Sequence, residues 1–350
     1  MKSKVYCARL DDGARPAAQA EALGRAMEAA GFVKKLSKKD MVAIKVHMGE
    51  DKNTTHLRPE LAARAVAVVR RARAEPFITD TATLYRGQRE NGIRHAMLAD
   101  KHGFGIHKVG APFLPLDGLC GQHEVEIEVN GELNQTVKIA GDVVLADALV
   151  AISHVTGHIA SGMGAAIKNL GMGMASRAGK MRQHSTITPS VMADRCQNCG
   201  KCVRWCPRDA IEEKNGVACI QPDLCIGCGQ CLAVCRYGAV RFNFSSESEV
   251  LQKSMAEHAA GVLKHFGEKA LFANVLVDMT AECDCMNKVQ KKALPDLGIL
   301  VSNDMVAIDR ASLDLTAADG GPDLGHRFYP RLDGSVQIEH ARKMGLGSES

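Results

Sequence analysis

Apolar residues along the chain fall into two periods. Short runs that are apolar throughout, or at every second position, recur as KVYCARL, MVAIKVH over 41–47, PFIT over 76–79, ALVAIS over 148–153, LFANVLVD over 271–278 and GILVS over 298–302. Their length and their β-branched content predict strands. Between them the apolar positions shift to helical spacing over 16–30, 59–73, 247–266 and 304–316. Pro16 and Pro59 suit a first helical turn and Gly31 a stop. The stretch EVEIEVNGELNQTVKI alternates around Asn130-Gly131 and predicts a β-hairpin. Strands alternating with helices predict an α/β fold, a sheet carrying helices on both faces.

Composition narrows the class. Hydrophobic residues at 46% and charged ones at 24% describe an ordinary globular chain and exclude disorder. No apolar run approaches the roughly 18 residues of a membrane span, and the opening MKSKVYCARLDDG lacks the apolar core of a signal peptide. The expectation is a soluble, cytoplasmic protein without a membrane partner. A net charge of +4 is too weak and too dispersed to predict nucleic-acid binding.

Cysteine breaks the ordinary pattern. Thirteen are present, and nine of them fall between 196 and 235. In a long chain without secretory features this crowding predicts cofactor ligation rather than disulfides. CQNCGKCVRWCP supplies Cys196, Cys199, Cys202 and Cys206, and CIGCGQCLAVCR supplies Cys225, Cys228, Cys231 and Cys235. The two runs are internal repeats of CxxCxxCxxxC. Zinc in paired CxxC sites is the alternative use of such spacing. The segment closely resembles bacterial two-cluster ferredoxins, in which the fourth cysteine of each run ligates the other run's cluster. The resemblance implies two [4Fe-4S] clusters, one on Cys196, Cys199, Cys202 and Cys235 and the other on Cys225, Cys228, Cys231 and Cys206. Arg236 stands where such ferredoxins carry proline, and Cys219 lies off both patterns, as a buried small apolar residue in the strand between the clusters.

Because strand and helix patterning resumes after 246, the chain reads as a discontinuous α/β domain over 1–188 and 247–346, interrupted by an inserted α+β ferredoxin-like domain over 189–246, with 347–350 as a tail. Ligands of open α/β sheets sit beyond the carboxyl ends of the strands. There the chain offers His47, Glu50, His56 and Arg58; Asp80, Tyr85, Arg86 and Arg89; His154 and His158; Cys283 and Cys285; and Asn303, Asp304 and Asp309. The glycine-rich SGMGAAIKNLGMG, with Lys168 and Asn169, is neither a P-loop nor GxGxxG. It reads either as a backbone anion cradle or as a close-packed helix. Arg177, Lys180 and Arg182 read as a solvated face or as a steering surface. Cys283 and Cys285 read as ligands for an additional metal or as redox-active thiols. His47, His154, His158, Lys168, Cys283 and Cys285 are the candidate catalytic residues, with His and Cys as ligands or proton donors and Lys168 facing substrate charge.

KVHMGEDKNTTHLRP, FITDTATLYRGQREN, LDGLCG, SHVTGHIASGMGAAIKNLGMG, DMTAECDC and GILVSNDMVAID, together with the cysteine repeats, resemble the uncharacterised iron-sulfur centre proteins of domain-of-unknown-function family 362. Met305 stands where typical members have proline. The resemblance implies a [4Fe-4S] insert in an α/β domain and supplies no reaction. The expected function is therefore an oxidoreductase whose clusters pass electrons between an external redox partner protein, or a small electron carrier, and a small-molecule substrate in the strand-end crevice. The alternative is a non-enzymatic electron carrier or maturation partner that docks a client through its α/β domain. A third reading keeps the clusters structural or sensory.

Overall fold

A computed structural model of the protein describes residues 3–184, 188–225, 227, 229–242, 247–318 and 320–349. In chain order, β1 (Val5–Arg9) leads through α1 (Pro16–Ala29) to β2 (Met41–Lys45), then through α2 (Pro59–Arg70) to β3 (Glu75–Thr79). Helices α3 (Gly92–Lys101) and α4 (Ile106–Val109) precede a hairpin of β4 (Glu124–Glu128) and β5 (Thr136–Ala140). Next come β6 (Ala148–His154), a small hairpin of β7 (Thr156–His158) and β8 (Gly162–Gly164), and helices α5 (Ala166–Gly171) and α6 (Arg177–His184). The cysteine-rich segment carries β9 (Ser190–Val191), α7 (Lys201–Arg204), β10 (Ile211–Lys214), β11 (Val217–Ile220), α8 (Gln230–Val234) and β12 (Val240–Arg241). The chain then continues through α9 (Ser248–Phe266), β13 (Ala270–Leu276), β14 (Gly298–Ser302), α10 (Met305–Thr316), α11 (Leu324–Phe328) and α12 (Val336–Lys343).

Six strands form one sheet in the order β1-β14-β13-β6-β2-β3. β13, β6, β2 and β3 are parallel neighbours, whereas β14 runs antiparallel to both β13 and β1. Each residue of β6, β13 and β14 is buried, as expected where helices cover both faces. The period of two divides these strands between two cores. Val150 and Ile152 of β6 join the core under α1 and α2, while Leu149 and Ala151 join the one under α5, α9, α10 and α12.

Sequence signals set the helix ends. Pro16 and Pro59 occupy first helical positions, and the residue after α1's last turn is the left-handed Gly31. Asp304 caps α10 by accepting the Val306 and Ala307 N–H groups. The predicted hairpin forms, but seven residues separate its strands. Asn130 takes the left-handed conformation inside that wider loop, and the Leu133 and Asn134 N–H groups are held by the Glu257 carboxylate of α9.

Candidate functional site at the strand ends

The parallel strands β2, β3, β6 and β13 end side by side, and residues at and just beyond the ends of β2 and β3 meet in a buried charge network. Lys45, the final residue of β2, lies 3.0 Å from Asp80 beyond β3 and donates to Asn169 Oδ1 at 2.7 Å. Arg89 joins Glu50 at 2.9 Å to Asp80 at 3.3 Å and donates to the Tyr85 hydroxyl. Burial alone would raise the Asp80 carboxyl, but Lys45, His95 and Arg89 hold it well below the usual range. A network this well paired tolerates its own desolvation, and removal of any member leaves a bare buried charge. It is the rigid floor of the site.

Above that floor lies the histidine cluster. His154 Nδ1 is 2.7 Å from Asp284 Oδ2, and its Nε2 is 2.9 Å from the Val277 carbonyl. Both ring nitrogens face acceptors, so the ring is an imidazolium. Burial opposes that charge, and Asp284 and the carbonyl outweigh it and raise the His154 pKa. Asp284 is held down at about 2, burial again being overcome by His154. His47 and His158 differ. The Gly49 N–H donates to His47 Nδ1 at 3.0 Å, and the Ala160 N–H donates to His158 Nδ1 at 3.3 Å. Burial, reinforced by Arg89 for His47 and by Lys168 for His158, holds both rings neutral, each with its remaining N–H as a donor. Lys168 is half-buried on α5, and burial carries its pKa down to about 8 against the pull of Asp284. Among the described residues it has no hydrogen-bond or ion-pair partner.

The antiparallel β14 overturns part of the strand-end expectation. Its carboxyl end lies at the opposite edge of the sheet, so Asn303, Asp304 and Asp309 do not join the site. Asp309 instead accepts the Ala166 and Ile167 N–H groups, both at 2.9 Å, at the start of α5. That carboxylate fills the place where the anion-cradle reading would put a ligand. The glycines of this stretch serve packing, since a β-carbon on Gly171 would stand 2.0 Å from the Met255 carbonyl oxygen. The solvated-face reading fails for Arg177 and Lys180, which are buried, and holds for Arg182. Lys180 donates to Thr81 Oγ1 and the Ala82 carbonyl. Burial brings Lys180 down to about 8, and burial, against the pull of Lys180, raises nearby Asp117 to about 6.

Cys283 and Cys285 are bonded to each other. A metal on these two sulfurs would need the reduced pair. The residue between them enters the site, Asp284 holding His154 by its side chain and the Glu50 N–H by its carbonyl at 3.1 Å.

The cysteine repeats line two further cavities. Cys196, Cys199, Cys202 and Cys235 line one small enclosed cavity, and Cys206, Cys225 and Cys231 line another. Cys228 lies outside the described residues. The repeat is visible in the backbone: Gly200 and Gly229, both left-handed, start α7 and α8, and the Ala210 and Ala239 N–H groups donate to Cys206 and Cys235 sulfurs at 3.2 and 3.3 Å. Cys219 lies in β11 as expected, but half-buried.

Residues 42–314, most of the chain, match the family described as Domain of unknown function (DUF362). The chain belongs to that family. No curated protein matches it. Among solved structures, this DUF362 chain is similar to the lactate racemase apoprotein from Thermoanaerobacterium thermosaccharolyticum, at 14% identity and a TM-score of 0.40 over 73% of this chain and 48% of that one. It is also similar to a structural-genomics protein from Thermotoga maritima, at 11% identity and a TM-score of 0.42 over 95% of this chain and 60% of that one. It therefore spans about half to three fifths of the length of those chains.

Two residues of this DUF362 site escape a strand-end reading. Lys45 sits inside the apolar run MVAIKVH, where a lysine in a buried strand signals a carboxylate partner. Asp284 is masked by the cysteines on either side of it.

Proposed function

We propose that the protein is an iron-sulfur oxidoreductase. Two [4Fe-4S] clusters exchange electrons with an external redox protein or small carrier, and a small-molecule substrate occupies the strand-end crevice. The observation that carries the reading is the crossed grouping of the thiols, with Cys235 gathered beside the first repeat and Cys206 beside the second. The donor chemistry fits. Each cavity offers cysteine sulfurs within an apolar cluster that includes Met181, Ile211, Leu232 and Val240, and backbone N–H groups point at two of the sulfurs. Cys228 completes the second set by the repeat. Bound there, the clusters supply one-electron transfer.

The crevice residues supply the rest. Lys168 faces an acidic group of the substrate, the neutral His47 and His158 donate N–H bonds to its oxygens, and the His154 imidazolium, both N–H groups committed to Asp284 and the Val277 carbonyl, supplies fixed positive charge. A substrate carrying a carboxylate or carbonyl suits that set. Anaerobically purified protein should hold about eight iron and about eight sulfide per chain. Lys168→Met should weaken substrate binding and leave the iron content unchanged. Stoichiometric zinc without sulfide would overturn the reading.

A further inference from the structure

A cavity of about 710 Å³ lies where the cysteine-rich segment meets the loop after β3, and Tyr85 of the strand-end network is among its lining residues. Its walls are apolar at Leu84, Ile93, Leu119, Leu232 and Phe242, and five arginines line it: Arg86, Arg94, Arg177, Arg236 and Arg241. Among the described residues only Arg94 has a carboxylate partner, Glu90. Arg177 is the decisive one. It is 7% exposed and reaches only the carbonyl oxygens of Ala233, Glu90 and Leu84 at 3.3–3.5 Å, and its Nε has no partner. A buried guanidinium held by weak carbonyl contacts, with a donor to spare, is a charge awaiting an anion.

We propose that this cavity binds an organic phosphate with a planar apolar body, the flavin mononucleotide class, its phosphate on Arg177 and its ring against the leucine and phenylalanine wall. The volume suits a ligand of that size. Cys235 lines the same cavity. The anion site stands on Arg177 and the cavity alone. The choice of a redox-active ring rests on the proposed function, which gives Cys235 to the first cluster, and it identifies this cavity as the entry point for electrons.

The test uses anaerobically purified full-length protein of measured iron content, titrated with flavin mononucleotide and, separately, with riboflavin, which lacks the phosphate. Flavin fluorescence reports binding. Flavin mononucleotide should bind clearly more tightly than riboflavin. Arg177→Gln should weaken it by about 30-fold or more, as expected for removing a buried charge partner, and leave riboflavin unchanged. Because Arg177 also ties three segments together, the exposed Arg86→Gln and Arg241→Gln variants serve as a second arm, each expected to weaken only the phosphate form, by a few-fold. Equal affinity for the two flavins, or a flavin mononucleotide affinity unmoved in all three variants, overturns the proposal. An effect of Arg177→Gln confined to the cluster's reduction potential also overturns it, because the charge would then serve the cluster alone. Phosphate-dependent flavin binding to protein without iron would uphold the anion site and refute the oxidoreductase reading.

Discussion

At the scale of single residues, the His154–Asp284 pair is the most testable part of the site. The folded pKa of His154 is raised above its ordinary 6.5, so its share of the stability is complete below that value and is lost as pH rises through the folded one. Asp284 behaves in the opposite sense: its share is present above the ordinary 3.8 and is lost as pH falls towards 2. The pair therefore stabilises the fold most between these two ordinary values. Asp284→Asn should cost about 3–5 kcal/mol in that window, the usual loss when one member of a buried pair is removed. In NMR titration the His154 ring should move from above 6.5 in the parent protein to below it in the variant. An unmoved titration would break the assignment. His154 was legible in the sequence as a strand-end polar residue, but its partner was not, because CDC draws attention to sulfur. The burial of Arg177 and Lys180 was equally hidden, since their stretch reads as a hydrophilic helix until something packs over it.

Among the elements, α5 and α9 pack so closely that a glycine is required between them. A β-carbon at Gly171 would stand 2.0 Å from a carbonyl oxygen of the α9 backbone, which has no flexible side chain to swing aside. Gly171→Ala is expected to lower stability by about 1–3 kcal/mol in chemical denaturation and to perturb Lys168, three residues earlier on the same helix. Wild-type stability in that variant would show that the helices can separate without cost. Element type was legible wherever the apolar period was long, and Pro16, Pro59 and Gly31 marked the ends. Strand direction was not: an apolar run such as GILVS reads the same whichever way it enters the sheet, and so the residues after it were assigned to the wrong edge. Helix α3 was missed although its cap was written in the sequence, with Asn91 accepting the Arg94 N–H at 3.0 Å.

For the whole molecule, the proposed cluster ligation makes each cysteine repeat answer for the other. Cys206→Ala should damage the cluster assigned to Cys225, Cys228 and Cys231 and spare the one beside its own repeat, a distinction that site-resolved spectroscopy of the reduced protein makes directly. Loss confined to the cluster of Cys196, Cys199 and Cys202 would show that the ligands do not cross. The sheet carries a different long-range dependence. Val5 pairs with Ser302, and among the described residues β14 is the only strand paired with β1. On the ribosome β1 emerges before the other strands of this sheet and is paired only after β14 has followed, and until then it waits as a bare edge. All the cysteines of the 196–235 segment are out of the exit tunnel before that neighbour exists. The order of manufacture thus makes the nascent chain, rather than the finished protein, the form in which β1 is open to pairing with the wrong strand.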